Sequence, residues 1–255
     1  MRIVSLVPSW TETLLEAARS ERHIEVVGRT RFCVHPQPEC KDVPVVGGTK
    51  DVHWDRVVNL KPDLLLLDQE ENPKFMAEAS PVPWLATHVT SLESLQDELG
   101  RLSCHLQSES FRRWTEELRT LRAEAATGSL TLASTHPFFE TLGLLKSAAA
   151  QLLPPAYVIW RDPWMVVGPT TFIGSVWQHL GVELSVPTGD EQKYPEVSEE
   201  FLKSHFCLFS SEPFPFARHW SHLQKEFSGA LVDGESFSWF GIRTLRFLRE
   251  LSTRP

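Results

Sequence analysis

Arg2-Ile3-Val4-Ser5-Leu6-Val7-Pro8-Ser9-Trp10-Thr11-Glu12 reads as a buried, β-prone strand running straight into a helix-opening sequence. A strand feeding a helix whose first turn offers free backbone N–H groups and small hydroxyls, here Ser9, is how α/β proteins build a ligand site at a strand's carboxyl end. The apolar run is too short for a signal peptide, carries a proline at its end and meets Glu12 and Glu16 at once. As written, the chain is therefore expected in the cytoplasm with its thiols reduced; a leader lost ahead of Met1 would make it periplasmic.

Outward from this stretch, the first hundred residues alternate strand and helix. Ile3–Leu6, Glu25–Gly28, Val43–Val46, Asp63–Leu67 and Pro83–Thr87 are short apolar strand candidates. Between them, Thr11–Ala18, Val52–Leu60 behind Asp51, and Pro73–Ala79 carry helical patterns. Such alternation predicts an α/β fold with a mostly parallel sheet and helices outside it. From Ser91 the period becomes helical throughout. Leu92, Leu95, Leu99, Leu102 and Leu106 step by three and four, the phase slips at Gln107–Ser110, and Phe111, Trp114, Leu118 and Leu121 resume it. That predicts two helices broken near Ser108 or Ser110, the second reaching about Ala126, and a further helical stretch over Pro137–Leu153. After Pro155 the alternation restarts: strand Ala156–Trp160, apolar Met165–Val167, helices Thr170–Leu180 and Ser198–His205, strand Cys207–Ser210, helix Pro215–Phe227, strand Ala230–Val232 and helix Phe240–Leu251. The expected organisation is an N-terminal α/β lobe (1–107), a helical connection (108–155) and a C-terminal α/β lobe (156–255).

Composition narrows the function. A formal net charge of −8 with scattered basic residues argues against nucleic acid, which needs clustered Lys and Arg. No apolar segment approaches the roughly 20 residues of a membrane helix, so no membrane insertion is expected. Cys33, Cys40, Cys104 and Cys207 include no C-x-x-C spacing, which speaks against a zinc ribbon or a disulfide framework. Nine Trp against two Tyr is the unusual figure, because Trp serves flat ligand surfaces as well as cores.

Candidate site residues all follow strands. Thr30, Cys33 and His35 follow Glu25–Gly28; Thr49 and Lys50 follow Val43–Val46; Glu70, Glu71 and Asn72 follow Asp63–Leu67; His88 follows Pro83–Thr87. In the second lobe Trp160, Arg161 and Trp164 stand at the first strand, Glu212, Phe214 and Phe216 after the strand at Cys207, and Glu235, Trp239 and Arg243 after the strand at Ala230. Parallel strands share a carboxyl edge, so in each lobe these loops should meet, and two such edges facing each other would form a cleft. Aromatic surface with a few charged groups is the make-up of a small-molecule site. For Trp160, on a strand, core and cleft readings stand level; for Trp164 and Trp239, in Pro- and Gly-flanked loops, the functional reading is preferred.

Several of these segments resemble a known family, the class III substrate-binding proteins of ABC importers, also called helical backbone metal receptors. The resemblance rests on Ser5-Leu6-Val7-Pro8-Ser9 with Thr11-Glu12, Val45-Val46-Gly47-Gly48-Thr49 and Leu60-Lys61-Pro62-Asp63-Leu64. Arg31-Phe32-Cys33-Val34-His35-Pro36, Asp68-Gln69-Glu70-Glu71-Asn72, Trp160-Arg161-Asp162-Pro163-Trp164, Glu212-Pro213-Phe214-Pro215-Phe216 and Asp233-Gly234-Glu235 look like its cobalamin-binding-like branch. Read from Met1, the chain is expected to depart from the family by carrying no secretion signal or lipoprotein cysteine, and its stretch from about Ala126 to Leu153 looks longer than the family's usual connection. The resemblance implies two α/β lobes joined by helix, holding cobalamin, another corrinoid or a further metal chelate or macrocycle as ligand, with an ABC importer as partner if a natural precursor is secreted.

The residues offer two rival chemistries. Cys33 and His35 pair thiolate with imidazole, which suits soft or borderline metals, but the loop leaves further ligands to find; the expectation is no protein-ligated metal, with both residues shaping the cleft wall. An enzyme built on the same fold is the alternative function. No G-x-S-x-G, phosphate loop or full dinucleotide fingerprint is present, and adjacent Glu70 and Glu71 point apart in an extended loop. No catalytic residue is therefore assigned.

Overall fold

A computed structural model describes residues 1–125, 153–187 and 192–252. The chain divides into two compact units: Met1–Leu121 with Trp239–Pro255, and Arg122–Ser238.

In the first unit, β1 (Arg2–Ser5), β2 (Glu25–Thr30), β3 (Val45–Gly47), β4 (Leu64–Asp68) and β5 (Trp84–Thr87) form a parallel sheet in the order β3-β2-β1-β4-β5. The order reverses direction at β1, so the opening strand sits at the sheet's centre with β2 and β4 on its two sides. All of β4 is buried, as expected of a strand covered on both faces. One covering layer packs Val57 and Met76 against Val4, Leu6, Val27, Val46, Leu65 and Leu67. These come from α3 (Trp54–Asn59) and α4 (Lys74–Glu78).

Helix α1 (Pro8–Ala18) starts with proline in its first turn and buries Trp10 and Leu14 completely. The short α2 (Glu39–Asp42), absent from the sequence expectation, buries Cys40. The long leucine pattern forms α5 (Leu92–Leu106), opened by a Ser91–Ser94 capping box. Gln107 stops α5 in the left-handed region at φ 51°, which is the physical basis of the phase slip. Helix α6 (Glu109–Ala125) then restarts the stripe, burying Phe111, Trp114 and Leu118. The predicted helix over Pro137–Leu153 falls, but for its last residue, outside the described residues.

The second unit holds β6 (Pro155–Trp160), β7 (Met165–Val166), β8 (Phe206–Ser210) and β9 (Gly229–Val232) in the order β7-β6-β8-β9. The last three are parallel neighbours, and β7 returns antiparallel on β6. Its helices are α7 (Phe172–His179), capped by Thr171; α8 (Glu199–Lys203), capped by Ser198; α9 (Trp220–Glu226); and α10 (Gly234–Ser238). The single helix expected over Pro215–Phe227 is broken into a 3-10 turn (Phe216–His219) and α9. Its core gathers Val158, Leu202, Phe209, Phe216, Leu223 and Phe227.

One assignment differs from the sequence expectation, which placed 156–255 in a single lobe. The last helix, α11 (Ile242–Ser252), belongs to the first unit and packs on α1. Gly241 makes this possible: φ is +87°, and a Cβ there would lie 2.2 Å from Thr13 Oγ1. The Ile242 N–H donates to that same hydroxyl at 3.1 Å. Glu12, almost wholly buried on α1, then receives Arg243 at 2.9 Å and Arg246 at 3.2 Å.

Candidate functional site

At the carboxyl edge of the first sheet, buried polar groups hold the loops. Asn72 is 6% exposed and acts as a tie: its amide donates to Thr49 O at 2.8 Å and Leu6 O at 3.2 Å, and its oxygen accepts from the Asp68 N–H at 2.9 Å. Asp68 in turn accepts from Thr87 Oγ1 at 2.6 Å and from the N–H groups of Glu70 and Val89. Burial pushes the Asp68 carboxyl above its ordinary pKa, against the lowering effect of these donors. Trp10 Nε1 closes the network by donating to Thr87 Oγ1 at 2.8 Å. The loops after β1, β3, β4 and β5 are thereby one connected surface, and Asn72 is a positioning residue within it.

On that surface His88 Nε2 meets Glu70 Oε1 at 2.9 Å. Lys50 and Glu71 are exposed, Thr49 is half-buried, and Ser9 is buried at the start of α1. Beside β4, β5 and α4 opens a cavity of about 350 Å³, lined by Gln69, Asn72, Lys74, Ala77 and the half-exposed Trp84.

Cys33 and His35 part company. Cys33 is 1% exposed, its Sγ lies 3.1 Å from both Thr11 Oγ1 and Thr30 Oγ1, and Cys40 Sγ donates to its carbonyl at 2.9 Å. Burial raises the Cys33 thiol pKa, so the thiol stays protonated and packs the base of the loop. Cys33 and the fully buried Thr30 therefore support the loop after β2 from beneath rather than standing on its surface. His35 instead reaches the surface side, edge-on to Trp239 with ring centroids 5.4 Å apart. Arg243 lies over the same Trp239 ring at 5.0 Å, anchored by Glu12. His35, Trp239 and Arg243 thus form one cluster within the first unit, although the position of Trp239 and Arg243 after the strand at Ala230 predicts the second lobe. Among the described residues, no group of three or more His, Cys, Asp and Glu side chains is placed to hold a metal ion.

In the second unit the aromatics form a graded series from edge to core. Trp160 is 39% exposed and meets Phe214 edge-on at 5.7 Å; Phe214 lies 4.6 Å from Phe216; Phe216 stacks with Trp164 at 6.2 Å and 6°. Phe216 is fully buried, which corrects its expected role as a ligand contact: it opens the 3-10 turn after Pro215 with its ring packed inward on Phe209. Trp164 is half-buried against Phe209, Phe216 and Phe227, with Arg161 over its ring at 5.2 Å. Its loop position therefore serves the core first. Glu212 accepts from Ser238 Oγ at 2.7 Å, tying the loop after β8 to α10, while Glu235 sits half-buried on α10.

Glu12 and Asp68 escaped assignment as site residues, although both lie inside motifs quoted from the sequence. The signals in the sequence are a lone carboxylate, Glu12, among the small and apolar residues Ser9–Leu14, and two arginines three residues apart, Arg243 and Arg246, on one face of the last helix.

No protein-family profile matches the sequence, and no curated protein does. Solved structures do match. The periplasmic vitamin B12 binding protein BtuF of Vibrio cholerae aligns over 99% of this chain and 95% of its own, with TM-score 0.70 and 18% identity. The periplasmic heme-binding protein RhuT from Roseiflexus sp. RS-1 aligns over 98% and 96%, with TM-score 0.69 and 18% identity. The periplasmic heme-binding protein HutB of Vibrio cholerae aligns over 99% and 98%, with TM-score 0.71 and 13% identity. At these identities the likeness speaks for the fold: this chain has the two-lobe, mostly parallel α/β architecture of the class III periplasmic binding proteins.

Proposed function

We propose that this chain is a small-molecule binding protein that captures a metal chelate or macrocycle, a corrinoid or a porphyrin, on the loop edges of its two sheets. The observation that carries the reading is the likeness of fold over almost the whole chain to proteins that bind vitamin B12 and heme. The side chains support it. The first unit offers an imidazole, an indole and a guanidinium in one cluster, and the second offers an exposed indole on Trp160 backed by Phe214. Flat apolar surface with few polar groups suits a planar ligand. In this reading His35 and Trp239 are contact residues of the first unit and Trp160 of the second; Glu12 positions Trp239 through Arg243, and Cys33 packs beneath the loop that carries His35. The partner is an ABC importer, and the periplasmic setting of the neighbours favours the periplasmic alternative over the cytoplasmic one.

Titration of the purified protein with hemin and with cyanocobalamin, followed by absorbance and native mass spectrometry, tests the proposal. Saturable one-to-one binding with the ligand retained unmodified is expected for one of them. Trp160→Ala should weaken it by about 1–3 kcal/mol while leaving stability nearly unchanged, because Trp160 is an edge group. A converted ligand would instead establish the enzyme, and absence of saturable binding to either would overturn the ligand class.

A further inference from the structure

A second concave site lies elsewhere on the first unit, among α1, α6 and α11. A pocket of about 500 Å³ is walled by four arginines, Arg19, Arg113, Arg246 and Arg249, against two carboxylates, Glu16 and Glu117, together with Ser20 and Ser110. Helix α1 leaves the carboxyl end of β1 and runs back, so its last turn, with Arg19 and Ser20, stands toward the amino ends of the strands. The pocket is therefore at the opposite edge from the loops described above. It is also an exception to the chain's charge: four guanidinium groups gather on a protein of formal net charge −8.

Part of that charge is matched. Arg246 spans Glu12 and Glu16, Arg19 spans Glu16 and Glu39, and Arg249 places Nε and Nη2 on Glu117 at 2.8 and 2.5 Å. With Arg243, which shares Glu12, the ion-pair network holds four arginines against the four carboxylates of Glu12, Glu16, Glu39 and Glu117, and Arg113 lines the same pocket outside it. The charge left over is that of Arg113, which is exposed, makes no hydrogen bond or ion pair among the described residues, and acts only as a distant favourable charge on Glu109. Arg19, Arg246 and Arg249 are themselves half-exposed, so their remaining N–H groups face solvent. The pairs on Glu16, Glu39 and Glu117 are partly exposed and therefore weak, and an incoming oxyanion can share those guanidinium forks at little cost. Guanidinium forks match the geometry of phosphate and carboxylate, while the two serine hydroxyls are already engaged, Ser20 with Ala17 O and Ser110 with Glu21.

We propose that this pocket binds a small oxyanion carrying phosphate or carboxylate groups, independently of the ligand at the loop edges. The test uses the whole protein with inorganic phosphate and with citrate, by calorimetric titration and by thermal shift, each against sodium chloride at equal ionic strength. Saturable binding of one anion beyond the chloride control is expected, and the preferred one identifies the group recognised. Arg113→Gln should weaken that binding about tenfold without lowering the melting temperature, since this arginine supports no other contact. Arg246→Gln should lower the melting temperature as well, because it also anchors α11 to Glu12. Binding no stronger than chloride, or undiminished in Arg113→Gln, would show that the cluster only fastens three helices together and would overturn the proposal.

Discussion

The two units hold their loop edges by different chemistry. In the first, hydrogen bonds fix the edge: Asn72 joins three segments, and Asp68 gathers the donors of Thr87, Glu70 and Val89. In the second, rings do: Trp160, Phe214, Phe216 and Trp164 run from solvent into the core, and Trp177 stacks on Phe237 at 4.4 Å. Hydrogen bonds are directional and leave the surface side chains, His35, Glu70 and His88, distinct from the groups beneath them. Aromatic packing is not directional in that way, so in the second unit wall and core merge. A loop tryptophan there is read correctly only when its neighbours are known.

The largest effect that would sharpen this comparison is in the second unit. Phe216→Ala should cost about 3–5 kcal/mol in urea unfolding, the range for a fully buried phenylalanine, and disturb the Trp164 fluorescence environment. A cost below about 1 kcal/mol would mean that Phe216 is not core and would restore it as a ligand contact. Next, Asn72→Ala leaves the buried Leu6 carbonyl, the part-buried Thr49 carbonyl and the Asp68 N–H without this partner, and about 2–3 kcal/mol is expected on unfolding, with weakened ligand binding through loosened loops. An Asn72→Ala variant as stable as the parent would show that the first edge is not held by polar ties.

The smallest effect concerns one thiol in each unit. Burial pushes Cys40 up to about 11 and Cys207 up to about 12, from 9.0. A folded-state pKa above the unfolded one means stability is complete below about pH 9 and is lost as pH rises, through about 11 for Cys40 and about 12 for Cys207. Stability should therefore fall above pH 9, and Cys207→Ala should flatten that fall. At pH 8 the exposed Cys104 should be the thiol that reacts with a disulfide reagent in the native protein. Rapid labelling of Cys33 would contradict its place beneath the loop.

Much of the architecture was legible along the chain, because apolar runs of strand length and leucines at helical spacing report burial directly. Each strand of the first unit lies where its apolar run predicts, and the helix break falls at Gln107, where the leucine phase slips. The site was legible only as a set of loops. Which residues of a loop face out depends on what lies under it, and Cys33 and His35, two positions apart, end on opposite sides of that divide.

By itself, then, the sequence determined the strand and helix alternation, the parallel sheets and the edge on which the loops gather, since these follow from local periodicity and chain direction. Tertiary structure alone decided that α11 returns to α1, that Glu12 takes two arginines from 231 and 234 residues away, and that Phe216 turns inward while Trp160 stays at the surface. Those outcomes rest on long-range pairing of charges and on the filling of one core by rings from several segments. Neither leaves a periodic trace in the chain, because the partners meet only after the sheets are built.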